Sequence, residues 1–267
     1  MNNDPIGIFD SGIGGLTVAR AIKNLMPNES LIYFGDTAHL PYGDKSEAAI
    51  QAYSIKITDV LRSKGCKALV VACNSASASA YDLLKEYAGK RVEIINVIDP
   101  MVEFVGQKFA SSNVGLIGTK RTVESGIYAA KIKNLDLDIQ VKSLATPLLV
   151  PMIEEGFFNQ KISQDIIRKY LSETTFKDMS ALILGCTHYP LIKSEIKSLL
   201  KNQVEVLDSS EITAEHLKQR LEAKHILAKV RSFDDEFIVS DFTTSFESST
   251  KLFFGETVRL TPYTLWE

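Results

Sequence analysis

The chain has 267 residues with a formal net charge of −3, 45% hydrophobic and 24% charged residues, and acids and bases interspersed along its length. That balance supplies neither a basic groove for nucleic acid nor a polybasic membrane patch, and the longest apolar runs fall far short of the roughly 20 residues that span a bilayer. The N-terminus has no basic or apolar leader segment, and the three cysteines, Cys66, Cys73 and Cys186, are an odd count that argues against a disulfide framework. A reducing cytoplasm is the expected compartment.

In chain order, the apolar run 6–9 reads as a strand that closes on Asp10-Ser11-Gly12, with helical spacing over 14–26. A strand at 31–34 leads into the loop around Pro41-Tyr42-Gly43 and a helix over 46–64. The run 68–72 ends in Cys73 and precedes a helix over 76–87, followed by strand 93–97, helix 101–109, strand 114–117 and helix 122–134. Strand 139–143, helix 164–172, strand 181–184 ending near Cys186, helix 191–200 and strand 205–207 continue the alternation. Asp208-Ser209-Ser210-Glu211 fits a capping box ahead of a helix over 211–222. Strands apolar on both faces and separated by helices predict an α/β protein with parallel sheets covered on each side.

The sequence also repeats itself. "KALVVACNSAS" from Lys67 aligns without gaps on "SALILGCTHYP" from Ser180, an offset of 113 residues. "IGIFDSG" from Ile6 resembles "VGLIGTK" from Val114, an offset of 108. Two related halves are expected, and ligands in open α/β sheets bind at the C-terminal strand ends. Facing halves would set Cys73 and Cys186 on opposite walls of one cleft. Each cysteine precedes a predicted helix, whose N-terminus favours thiolate. Cys66 precedes its strand, at the other end of the sheet, and reads as packing.

Four chemistries are open to the two thiols. A zinc site would need three or four ligands, and only His188 lies near. A redox pair usually shows C-x-x-C, which is missing. A cysteine nucleophile with a His188 base accounts for Cys186 and leaves Cys73 unexplained. Proton transfer at a stereocentre needs a base on one face and an acid on the other, and uses both. Gly12-Ile13-Gly14-Gly15 is not a dinucleotide loop, because Thr17 stands where G-x-G-x-x-G has its third glycine.

"FDSGIGGLTV" (9–18), "GDTAHLPYGDKS" (35–46), "ACNSASA" (72–78) and "GCTHYPL" (185–191) together resemble the glutamate racemases, in the family's order and spacing. The likeness continues through "GLIGTKRTVESGIY", "PLLVPMIEEG" and "DSSEITA", and so covers the whole chain. It implies two similar α/β domains related by pseudo-twofold symmetry with the active site between them: residues 1–97 plus 208–267, whose 235–260 tail has strand–helix–strand character, and residues 98–207. It implies a cofactor-independent, metal-free racemase that interconverts L- and D-glutamate for bacterial peptidoglycan, commonly as a homodimer. Cys73 would act on the D side assisted by Asp10, and Cys186 on the L side assisted by His188. Substrate binding would fall to Asp10, Ser11, Tyr42, Gly43, Asn74, Ser75, Thr187 and His188, with Glu154 lining the site. Ser75 stands where Thr is common, and His39 where Arg is frequent. His188 favours glutamate over aspartate, since aspartate racemases typically carry Glu there. A racemase for another acidic amino acid such as aspartate is the runner-up among enzymes; a two-lobed amino-acid-binding protein is the alternative of another class, and has no need of matched thiols.

Overall fold

The computed structural model describes residues 2–89, 92–172, 176, 178–200 and 204–265. Its strands separate into two all-parallel sheets. The first contains β1 (Ile6–Asp10), β2 (Leu31–Gly35), β3 (Ala68–Val71), β4 (Glu93–Asn96), β9 (Glu236–Val239) and β10 (Thr261–Pro262), in the order β10-β9-β2-β1-β3-β4. The second contains β5 (Asn113–Gly118), β6 (Gln140–Ala145), β7 (Ala181–Gly185) and β8 (Glu205–Asp208), in the order β6-β5-β7-β8. Four consecutive strands of the first sheet, β2-β1-β3-β4, therefore match the second strand for strand. β1 corresponds to β5 and β3 to β7, the same pairs that the sequence repeat aligns.

Burial explains the composition of the strands. Every residue of β1, β2, β3 and β7 is buried, because helices cover both faces and no face is left to water. The first unit carries α1 (Leu16–Leu25), α2 (Glu47–Ser63), α3 (Asn74–Ala88) and α11 (Thr244–Phe254). The second carries α5 (Lys120–Glu124), α6 (Ile127–Lys133), α7 (Leu149–Glu154), α8 (Lys161–Leu171) and α9 (Lys193–Leu199). α4 (Asp99–Lys108) and α10 (Ser209–Ala223) follow the two crossings between the sheets, and α10 packs against both α1 and α4. One crossing is held by Asn96, whose Oδ1 accepts the N–H groups of Ile98 and Asp99, each at 2.7 Å. At the other, Asp208 caps α10 by accepting the Ser210 N–H at 2.9 Å. The expected capping box is only half realised, since Glu211 turns away to Lys193.

One apolar cluster runs from Ile6, Ile8 and Tyr33 through α1 to Leu182, Leu184 and Leu217, so the two units share part of their core. The elements depart from the predicted ones where local chemistry intervenes. The helix expected over 122–134 breaks in two at Gly126, which adopts φ 65° and so ends the first segment as only glycine does at low cost. The helix expected from 191 opens as a 3-10 turn, Tyr189–Ile192, containing Pro190; proline has no N–H to extend an α-helical ladder there.

Candidate active site

Cys73 follows β3 and Cys186 follows β7, each at the C-terminal end of a strand. Both are free and buried, and both line one cavity of about 180 Å³ between the sheets. The cavity suits a small amino acid rather than a nucleotide. Wider clefts of about 510 and 780 Å³ lie elsewhere, but neither contains a thiol. Ser11, Tyr42, Gly43, Asn74 and Ser75 line the cavity from the first unit. Glu154, Thr187 and His188 line it from the second. Of the candidate site residues, Asp10 alone stands behind the wall, 1% exposed. Cys66 takes no part in the cavity.

On the first wall, Cys73 is the N-cap of α3, and its Sγ accepts the Ala76 N–H at 3.5 Å and meets the Ser11 hydroxyl at 3.7 Å. Those donors favour thiolate, as the sequence position predicts. Burial outweighs them, and with the neighbouring Asp10 it pushes the Cys73 thiol up to about 12. At Cys73, burial therefore works against the thiolate that the helix terminus favours. Asp10 accepts the N–H groups of Gly12 and Gly15 through Oδ2, at 3.1 and 3.0 Å, so it shapes the turn before α1. Burial also raises its own carboxyl above the usual carboxylate range. The Tyr33 hydroxyl donates to the Gly12 carbonyl at 2.8 Å and fixes the same turn from below.

On the second wall, His188 lies between Cys186 and Glu154. Its Nδ1 is 3.8 Å from the Cys186 sulfur, and its Nε2–H donates to Glu154 Oε1 at 2.9 Å. Burial works against an imidazolium, but hydrogen bonds and charge from Cys186 and Glu154 prevail and raise His188 to about 10. At neutral pH the site therefore holds an imidazolium against one sulfur and none against the other. The N-terminal turn of the first unit presses on this arrangement: a Cβ at Gly14 would come within 2.5 Å of His188 Nδ1 and 2.6 Å of Thr187 Oγ1.

Between the thiols lie groups suited to a carboxylate. The buried Asn74 side chain accepts the Tyr128 hydroxyl at 2.8 Å through Oδ1, while its Nδ2 has no partner. An unpaired buried amide donor costs stability unless a ligand takes it. The Ser75 hydroxyl hydrogen-bonds Thr119 across the cleft at 3.0 Å. The Tyr42 hydroxyl donates to Asp36 at 2.6 Å, so its ring, rather than its oxygen, is what the cavity meets. Gly43 abuts Thr119, whose Cβ would lie 3.0 Å from an added methyl.

Thr119 itself, together with Thr146, lines the cavity without having been singled out in the sequence. The signal for Thr119 was available, because the alignment of 6–12 on 114–120 sets it opposite Ser11. Phe246, on α11, also lines the cavity and has no counterpart in any motif. Among the described residues, no group of three or more His, Cys, Asp or Glu side chains converges to hold a metal ion.

Residues 16–217 match the profile of the Asp/Glu/Hydantoin racemase family. The chain is 39% identical over 253 residues to the glutamate racemase of Chlorobaculum parvum, covering 94% of this chain and 92% of that protein. It is 42% identical over 250 residues to that of Chlorobium phaeobacteroides, covering 93% and 92%. The crystal structure of Francisella tularensis glutamate racemase in complex with D-glutamate superposes with a TM-score of 0.92 at 38% identity, covering 99% of both chains.

Proposed function

The chain belongs to the Asp/Glu/Hydantoin racemase family, and from that premise we propose that it is a glutamate racemase working by proton transfer between two cysteines. The observation that carries the mechanism is the pair of buried free thiols on matched strand ends, facing one small cavity. For D-glutamate, Cys73 first passes its thiol proton to the carboxylate of Asp10, whose Oδ1 has no hydrogen-bond partner among the described residues. The thiolate so formed takes the α-proton: the Cα–H bond breaks, an S–H bond forms, and the electron pair stays on carbon, spread into the α-carboxylate. Asn74 Nδ2 and the N–H groups at the start of α3 meet that growing charge. Cys186 then delivers a proton to the opposite face, and L-glutamate leaves. L-glutamate runs the same steps in reverse. No electrons are gained or lost, and one proton is removed for each delivered.

The two walls are prepared differently for this exchange. Burial holds Cys73 toward its thiol form. The substrate ammonium, brought beside it, offsets the Asp10 charge and lowers the cost of forming the thiolate. His188, protonated and anchored by Glu154, supplies and recovers the proton of Cys186. Ser11, Tyr42, Gly43, Ser75 and Thr187 complete the binding surface.

The division into 1–97 plus 208–267 and 98–207 is supported by the sheet to which each strand belongs. A cytoplasmic location agrees with three free cysteines and with the lack, among the described residues, of a helix long and apolar enough to cross a membrane. Supply of D-glutamate to peptidoglycan, and a homodimeric assembly, are what the family resemblance implies.

Incubating the purified protein with L- or D-glutamate in deuterated water, without added cofactor, tests the function. Loss of the Cα–H signal together with loss of optical activity is expected from either enantiomer, and much less from L-aspartate. Absence of exchange with both glutamate enantiomers would sink the reading.

A further inference from the structure

The turn that carries Cys186, Thr187 and His188 has an unusual debt in its hydrogen bonding. In its 3-10 ladder, Tyr189 N–H donates to Cys186 O at 3.1 Å and Leu191 N–H donates to His188 O at 3.2 Å. The donor between them would be residue 190, which is proline and has no N–H. The Thr187 carbonyl is thereby left over, in a residue only 4% exposed, where an unmade hydrogen bond is costly. Its partner comes from the other unit. The Thr17 hydroxyl, on α1, donates to Thr187 O at 2.9 Å, with Gly14 O also in range at 3.0 Å. Gly14 O already receives the Thr17 N–H. The Ser210 hydroxyl, on α10, donates in turn to Thr17 Oγ1 at 3.3 Å. Three segments, from both units and the second crossing, thus meet at one buried hydroxyl.

We infer that Thr17 is a positioning residue for the proposed racemisation, holding the Cys186–His188 turn in register from across the unit boundary. It touches neither thiol and does not line the thiol-bearing cavity. The opposite unit makes a comparable reach: Thr119, at the end of β5, bonds Ser75 in the turn that carries Cys73. Each cysteine turn is steadied by a threonine of the other half. The inference rests on the two-thiol reading for its kinetic arm, and on the hydrogen bonding together with the raised His188 titration for its spectroscopic arm.

Thr17→Val keeps the branched shape and deletes the donor. Folded Thr17→Val should lose roughly 10- to 100-fold in kcat in both directions. With D-glutamate in deuterated water, it should return more α-deuterated D-glutamate per L-glutamate formed, because Cys73 still removes the proton while Cys186 delivers late. The His188 titration, followed by 15N NMR, should fall from about 10 toward the ordinary imidazole range. Thr17→Ser should restore all three. Adding Pro190→Ala to Thr17→Val gives Thr187 O a donor within its own turn and should recover part of the loss; it also serves where Thr17→Val alone does not fold. A wild-type rate in Thr17→Val, or a slowed rate with unchanged partitioning and unchanged His188 titration in either valine variant, overturns the inference. Should the wild type fail to racemise glutamate while the His188 titration still falls in Thr17→Val, the clamp stands and the functional reading falls instead.

Discussion

Charge at the two cysteines is arranged unequally. Cys73 has a buried acid for a neighbour, and burial pushes its thiol up, whereas Cys186 touches an imidazolium braced by Glu154. Because folding raises His188 from 6.5 to about 10, its imidazole binds a proton more tightly in the folded chain than in the unfolded one. The resulting stabilisation is fully present below about pH 6.5, declines as pH rises, and is gone above about pH 10. Urea unfolding of the wild type and of His188→Asn at pH 6, 8 and 10 should show a stability gap that narrows steadily with pH. A gap that is constant across this range would mean that His188 is not held protonated. The His–Glu pair was not legible in the sequence as a pair, since residues 154 and 188 meet only once α7 has folded against the turn after β7. What could be read was each member separately, through the family motif.

At the scale of elements, the turns after β1 and β7 interlock so closely that a methyl group has no room at Gly14. His188 is a ring held at both nitrogens and cannot swing aside cheaply. Gly14→Ala should therefore destabilise the fold by about 1–3 kcal/mol and lower kcat by roughly 100-fold, the larger effect falling on catalysis. Thermal unfolding alongside steady-state rates measures both, and an unchanged kcat would show that the turn yields. Strands were the readable elements, because burial on both faces leaves an unbroken apolar run. Helix starts were less so. α3 begins at Asn74 rather than 76 because Cys73 itself caps it, and a sulfur cap leaves no mark that sequence reading looks for. α7, within 149–154, holds a proline at 151 and has no counterpart among the predicted helices, although it brings Glu154 to the site.

Over the whole molecule, the strand orders β2-β1-β3-β4 and β6-β5-β7-β8 make the two units counterparts, and that correspondence turns two distant cysteines into opposed ones. The repeat of 67–77 at 180–190 carried this in the sequence. The contacts that join the halves were hidden, because each pairs residues of separate motifs that only the fold brings together. The Arg121 guanidinium, for instance, donates to the Lys45 carbonyl at 3.1 and 2.8 Å and ties α5 to the loop that holds Tyr42 and Gly43. If the molecule works as a pair of opposed acid and base groups, neither thiol can act alone. The most direct measurement is racemisation of L- and D-glutamate by Cys73→Ala and by Cys186→Ala, each confirmed as folded. Loss of about a thousandfold or more in each variant, with both enantiomers, is the predicted result; racemisation at the wild-type rate by either one would contradict it.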